Sequence, residues 1–276
     1  MKKEEFLQKL QNNLTDFEKA ISTTEKEWII KGFIDIYKNV YTISLDTKII
    51  SKVLELLLFP LMQNFAKENN LELKLSPEQN FYPDLTFIDK NDNTFFAVDI
   101  KTTYRTGKDK VNGMTLGAFT GYFRNRESTK NITYPYNQYA EHFVLGVIYS
   151  QSKENIDERK IYSIKDLEKI PSVIHDFKFF AQPKYKIAES RPGSGNTKNI
   201  GSITDIEKLI TGKGPFSELG ESVFDDYWMF YLTQDMAAKL ETIRPYSNLK
   251  EYIEYKNKNS EILNKNKDKL ENQEDK

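Results

Sequence analysis

Residues 83–101 read PDLTFIDKNDNTFFAVDIK, and their pattern decides the fold. Residues 85–88 and 95–100 are dense in aromatic and β-branched side chains, the composition of strands. The second run is apolar almost throughout, as expected of a strand buried on both faces. Between them, Asp89, Lys90, Asn91, Asp92 and Asn93 supply turn chemistry. Pairing of the two strands through that turn would bring Asp84, at the head of the first, close to Asp99, near the end of the second. Asp99 and Lys101 are two residues apart, so on a strand their side chains point to the same side.

Outward from this stretch the chain alternates helix-like and strand-like segments. Phe6, Leu10, Leu14 and Phe17 recur at helical spacing and predict a helix over 1–26. Residues 28–43 are rich in Ile, Phe, Tyr and Val and predict a hairpin turning at Tyr37, Lys38 and Asn39. Asp46 and Thr47 form an N-cap region for a helix to about residue 67, kinked or broken near Pro60. Within 134–150 a helix is expected to pass into a buried strand at 143–149. A further strand is expected over 177–187, a Gly/Ser/Asn loop over 191–201, and helices from Thr204 and over 224–240. Strands mixed with helices, without an inner linker, predict one α/β domain over 1–255. The Lys/Asn/Glu tail of 256–276 is expected to be disordered.

Composition narrows the chemistry. The 276 residues contain no cysteine and two histidines, His142 and His175. Disulfides, Cys-based zinc sites and thiol nucleophiles are excluded, and the absence of cysteine fits a reducing, cytoplasmic setting. Nothing near either histidine suggests ligation, so both are read as structural. The charged start has no apolar region after it, so no secretory signal is read. The longest apolar run, 54–62, contains Glu55 and Pro60 and is too short to span a bilayer. Net charge is −1, without the basic excess that would advertise nucleic-acid binding. A cluster of acidic residues at a metal site could cancel a basic rim.

What remains is carboxylate, lysine and hydroxyl chemistry. Asp84 beside Asp99 would repel, and a divalent cation relieves two adjacent carboxylates. Oxygen-only ligation suits Mg²⁺, which keeps several waters and needs few protein carboxylates. Lys101 beside the metal could orient or help deprotonate an attacking water, or stabilise charge developing on a phosphoryl group. Taken alone, an Asp-x-Lys at a strand end is more often purely structural, and Pro83-Asp84 upstream at this spacing brings the two readings level.

Tyr82-Pro83-Asp84 followed by Asp99-Ile100-Lys101-Thr102-Thr103-Tyr104 resembles the PD-(D/E)xK nucleases, and within them the EcoRV-type restriction endonucleases. The likeness continues through Thr115-Leu116-Gly117, Thr129-Lys130-Asn131-Ile132, Tyr134-Pro135 and Gln138-Tyr139. It is densest from Gly193 to Ile203, extends to Gly212-Lys213-Gly214 and Asp226-Tyr227-Trp228, and covers roughly residues 28–230. The resemblance implies a restriction-endonuclease-like α/β core, a mixed β-sheet flanked by helices, with a small dimerisation hairpin at 28–43. It makes Asp84 and Asp99 metal ligands, Lys101 the catalytic lysine, and Glu55 a further acid at the metal site.

By the same resemblance Gly193, Ser194, Gly195, Asn196 and Thr197 contact bases, and Asn199 supports their loop. The chemistry agrees, since Asn can pair with adenine N6 and N7 and a Thr methyl suits thymine. Lys198 stands where the family has Thr, an added cation suited to phosphate rather than to base reading. Gln79 and Asn80 match a loop approaching the minor groove, although Glu78 replaces an uncharged Gln. Thr102, Thr103, Thr115 and Lys130 match positions near the DNA backbone. The segment after Trp228 lacks the arginines expected there by analogy, with Lys239 and Arg244 as candidates to substitute. The function implied is a Mg²⁺-dependent homodimeric type II restriction endonuclease cutting double-stranded DNA at GATATC to blunt ends, with a DNA methyltransferase in the host. Alternatives are a repair or junction-resolving nuclease, a non-cleaving DNA-binding protein on the same fold, and a carbohydrate or protein hydrolase built on paired carboxylates.

Overall fold

A computed structural model of the chain describes residues 1–78, 80–153, 157–193 and 197–256. The expected first helix is two: α1 (Lys3–Asn12) and α2 (Leu14–Ile21), which meet at Asn13. The expected hairpin is shorter than its apolar content suggested, with β1 (Gly32–Ile34) pairing antiparallel to β2 (Asn39–Thr42). Asp35 closes its turn by accepting from the backbone N–H groups of Tyr37 and Asn39, each at 2.9 Å. Trp28 lies outside this hairpin and is buried in the core.

Helix α3 (Thr47–Glu68) begins on the expected cap, where Asp46 Oδ1 accepts from Lys48 N at 2.7 Å, and it runs unbroken through Pro60. By length and composition this helix could cross a bilayer, more than the short apolar run suggested. Its side bearing Ile50, Leu54, Leu58, Met62 and Phe65 is nevertheless packed into the core.

The frame is a five-stranded mixed sheet. Its strands, in spatial order, are β3 (Leu71–Leu75), β4 (Leu85–Asp89), β5 (Phe95–Tyr104), β7 (Tyr139–Gln151) and β9 (Ile174–Pro183). β5 and β7 are parallel and every other neighbouring pair is antiparallel. The decisive stretch folds as read: β4 and β5 are joined by the 90–94 turn, with Leu85 opposite Val98. No helix precedes the buried strand in 134–150. A short 3₁₀ turn at Tyr136–Gln138 leads directly into the thirteen-residue β7.

Alternation along β5 separates two apolar layers. Phe96, Val98 and Ile100 pack with α1, α2 and α3 on one face. Ala97 packs on the other against Leu116, Phe119, Phe123, Phe224, Tyr227 and Trp228. Asp99 and Lys101 share the Ala97 side by the same alternation.

Two small sheets are attached. β2 also pairs with β8 (Ile161–Ser163), completing a three-stranded sheet with β1. Past β9 the expected strand gives way to a helical turn, Lys184–Ile187, followed by β10 (Ala188–Pro192). β10 pairs with β11 (Asn199–Ser202), which pairs with β6 (Thr115–Ala118). The two ends of the expected loop are therefore paired strands, and its residues 194–196 lie outside the described residues. The expected 224–240 helix is split into α6 (Glu221–Phe230) and α7 (Gln234–Lys239), numbering Lys184–Ile187 and Ile206–Thr211 as α4 and α5; α8 (Leu249–Lys256) follows. The tail expectation, beyond Lys256, lies outside the described residues.

Candidate active site

The approach to Asp84 is fixed before the strand starts. Tyr82 N donates to Asn131 O at 3.1 Å and Thr133 N to Tyr82 O at 2.8 Å, and the Tyr82–Pro83 peptide is cis. Tyr82 is buried, and its hydroxyl bonds His142 Nδ1 at 2.9 Å, which gives that histidine a structural partner. Segment 131–133 is thus a clamp on the residues leading into the acid.

The pairing register of β4 and β5 places Asp84 across from Asp99. Asp84 Oδ2 accepts from Ile100 N at 2.7 Å, and Lys101 Nζ lies 2.5 Å from Asp99 Oδ2. Burial, and then the neighbouring Asp99 charge, push the Asp84 carboxyl up to about 7. Burial opposes ionisation of Asp99 as well, but the Lys101 ammonium outweighs it and holds Asp99 below the usual carboxylate range. Lys101 is the converse case: burial disfavours its charge, yet Asp99 and Asp84 hold it above the ordinary lysine value. The three form a carboxylate pair that resists double ionisation, with one cation already against it.

Asp84 and Lys101 line a cleft of about 430 Å³ together with Ser51, Glu55, Thr102 and Thr115, among others, and the buried Asp99 is held against Lys101. Ser51 Oγ lies 2.6 Å from Thr102 Oγ1, tying α3 to the end of β5. Glu55 reaches the rim of this cleft, where its carboxylate is paired with Lys52 at 2.7 Å. Among the described residues no group of three or more His, Cys, Asp or Glu is gathered tightly enough to hold a metal. The donor set is therefore two carboxylates, with Glu55 nearby. An oxygen-only pair whose second ionisation is disfavoured suits a hard divalent cation that keeps most of its waters.

The remaining expected residues divide. Thr102 and Thr115 line the cleft. Thr103 does not: it is buried, with its hydroxyl donated to Asn112 O at 2.5 Å. Asn80 and Lys130 are exposed on loops. Gly193 and Thr197 to Asn199 flank the tip of the β10–β11 hairpin. Gly193 N donates to Asn199 O at 2.9 Å, and Phe119 N to Lys198 O at 3.0 Å. A Cβ on Gly201 would fall 2.8 Å from Gly193 Cα, so the stem closes only with glycine there. Gln79, Ser194, Gly195 and Asn196 lie outside the described residues. Lys184, buried close to Asp99, was not singled out in the sequence; a lysine between Pro183 and Tyr185 carries no signal of its burial.

A mixed sheet flanked by helices, with Asp, Asp and Lys brought together at the ends of two paired strands, defines the class: a nuclease of the restriction-endonuclease-like fold. Comparison with known proteins gives the family. A family model described as restriction endonuclease EcoRV matches residues 24–257. The type II restriction enzyme EcoRV of Escherichia coli is 34% identical over 240 residues, covering 86% of this chain and 95% of that protein. A solved NlaIV restriction endonuclease aligns over 90% of this chain and 95% of its own, at 11% identity and a TM-score of 0.38. The chain belongs to the EcoRV family of restriction endonucleases. It is a type II site-specific deoxyribonuclease and binds double-stranded DNA.

Proposed function

We propose that this enzyme is a Mg²⁺-dependent homodimer that cuts both strands of the palindrome GATATC to blunt ends, using Asp84, Asp99 and Lys101 of each protomer. The juxtaposition of Asp84, Asp99 and Lys101 at one cleft carries the reading. Asp84 and Asp99 would hold the cation, with Glu55 contributing from the rim. When bound, it supplies Lewis-acid stabilisation of charge on the phosphoryl group. Lys101 stays protonated beside Asp99 at neutral pH, which suits it to stabilise negative charge developing on the phosphate rather than to accept a proton. Thr102 and Thr115 line the same cleft with hydroxyls suited to phosphate oxygens.

Sequence reading is assigned to residues Gly193 to Thr197, with Asn199 bracing them and Lys198 meeting phosphate. Asn80 and Gln79 approach the minor groove and Lys130 the backbone. Thr103, with its hydroxyl held by Asn112, would act only by fixing the strand beneath its neighbours. Residues 1–255 act as one endonuclease domain, in the cytoplasm, with a host methyltransferase protecting the same site.

The dimer is assigned to the β1–β2–β8 sheet and the 28–43 region. Phe33, Ile34, Ile36, Tyr37 and Ile161 are exposed there, Ile36 at 88% and Ile34 at 57%. Several large apolar side chains on one small sheet mark an interaction surface. Two-fold protein symmetry then mirrors a two-fold site.

Digestion of a plasmid of known sequence tests the whole reading. Cleavage with Mg²⁺ but not with EDTA, and blunt ends mapping to GATATC, are expected. Asp99→Ala should abolish cutting while the fold is kept. Ends at another sequence would refute the specificity, and substantial cutting by Asp99→Ala would refute the metal site.

A further inference from the structure

Asn112-Gly113 is the one Asn-Gly pair in the sequence. It sits where the chain returns from the end of β5 toward β6, and both residues are exposed. The fold does not require the glycine. Gly113 is not among the residues of positive φ, and outside its chain neighbours a Cβ there would approach only Thr204 Cγ2, at 3.8 Å. What the glycine leaves open is chemistry. Without a side chain in the way, its nitrogen can reach the side-chain carbonyl of the asparagine before it, the setting in which a thermolabile amide is most exposed to attack.

Among the described residues Gly113 N–H makes no hydrogen bond, and neither does the Asn112 side-chain amide. The Asn112 main chain is held instead: its N donates to Tyr104 O at 2.9 Å, and its O accepts from Thr103 Oγ1 at 2.5 Å. That carbonyl belongs to the peptide whose nitrogen is Gly113. A donor on the oxygen draws charge through the conjugated peptide and makes the Gly113 N–H more acidic.

We propose that Asn112-Gly113 is a self-modification site, where spontaneous isomerisation to isoaspartate switches off the cleft beside it. Gly113 N gives its proton to solvent and bonds to Asn112 Cγ. The Cγ–Nδ2 bond breaks, and the nitrogen takes up a proton and leaves as ammonia. Water then opens the succinimide ring: at Cγ it gives aspartate, and at the main-chain carbonyl it gives isoaspartate, whose chain runs on through Cβ and Cγ. Either product adds one negative charge.

The added backbone carbon of isoaspartate has nowhere to spread. Before it, Val111 N is tied to Thr204 O at 2.9 Å. After it, Met114 N donates to Ser202 Oγ and Ser202 N to Met114 O, each at 2.9 Å. The extra length therefore falls on Gly113, which lines the active-site cleft with Met114 and Thr115. A shift of about 1 Å in a wall that positions substrate costs on the order of a hundredfold in rate, and a new carboxylate there repels phosphate. The loss of activity rests on this cleft being where phosphate is cut; the isomerisation does not.

The test is the intact protein aged at pH 8.5 without divalent cation, with circular dichroism confirming that it stays folded. Isoaspartate at position 112 is read by peptide mass mapping and by enzymatic carboxyl methylation, and single-turnover plasmid cleavage is followed in the same samples. Isoaspartate should accumulate, and activity should fall in step with it, converted molecules cutting about a hundredfold more slowly. Asn112→Gln and Gly113→Ala, each compared with its own fresh sample, should neither convert nor lose activity over the same period. Fresh Asn112→Asp, which carries the charge without the added carbon, should cut faster than the converted protein. An unmodified position 112 in aged protein would overturn the proposal, as would equal loss of activity by aged Gly113→Ala. Isoaspartate formed at full activity would overturn the switch if Asp99→Ala is inactive. Cutting by Asp99→Ala would mark failure of the cleft reading instead.

Discussion

Replacing Asp84 by Asn should stabilise the metal-free protein while destroying its activity, and the gain should depend on pH. Asp84 is pushed up to about 7 by burial and by Asp99, against an ordinary 3.8. Below about pH 3 the native and unfolded chains both carry its proton and nothing is lost. Between 4 and 7 the unfolded chain releases the proton while the native chain keeps it, so native stability falls as pH rises through this window. Above about 8 the full penalty applies, about 4–5 kcal/mol at roughly 1.4 kcal/mol for each pH unit. The substituted amide would still accept from Ile100 N through its oxygen and could donate to Asp99, turning a repulsion into a hydrogen bond. Urea unfolding in EDTA at pH 5 and pH 8 reads this directly. Trp28 and Trp228 are both fully buried and report loss of the two apolar layers. Protein concentration is held constant because dimerisation would contribute. Millimolar Mg²⁺ should narrow the difference by stabilising the parent protein, which keeps the ligand pair. A gain equal at both pH values, or no gain at pH 8, would refute the account of the carboxylate pair.

Two further outcomes follow from the exposed features. Ile34→Glu, at the end of the edge strand β1 of the small apolar sheet, should convert the protein to monomer in sedimentation velocity and abolish double-strand cleavage; a dimer that persisted would move the interface elsewhere. Lys198→Thr should reduce the slope of log affinity against log salt by about one for each protomer and leave the cleaved sequence unchanged; a changed sequence preference would make Lys198 a base reader.

Much of the site was legible because it depends on local chemistry. The β4–β5 pair, its Asp/Asn turn and the alternation that puts Asp99 and Lys101 together are written in one short run of consecutive residues, 83–101. The Asp46 cap of α3 is equally local. What escaped reading depends on tertiary packing. Residues 139–142 have no strand alternation because the register with β5 shifts at Ala140, which is exposed and leaves Glu141 opposite Phe96. Glu141 looks like a surface residue in the sequence, yet it is buried and paired with Lys3 at 3.0 Å. Pro60 normally interrupts a helix, but α3 continues through it because its apolar side is held on the sheet. Lys184 has no sequence signature, since the rings around it come from residues 82, 123 and 136.

Connectivity explains how one chain can join base reading to phosphate chemistry. The β6–β11–β10 sheet is built from the continuations of two strands of the main sheet: β5, which carries Asp99 and Lys101, leads on to β6, and β9 leads through Lys184 into β10. β11 sits between β6 and β10, and its Gly201 backbone closes tightly on Gly193 at the hairpin stem. Thr103, between Lys101 and β6, is bonded to Asn112 O, so the segment leaving the active site is tied back on itself before the small sheet starts. A displacement of the β10–β11 hairpin would therefore reach the main sheet by two routes: covalently, back along β10 to β9, and through the β11–β6 hydrogen bonds to β6 and so to β5, which carries Asp99 and Lys101. If the proposed base contacts are made from this hairpin, an incorrect sequence would be felt at the strand that carries the proposed metal ligand Asp99.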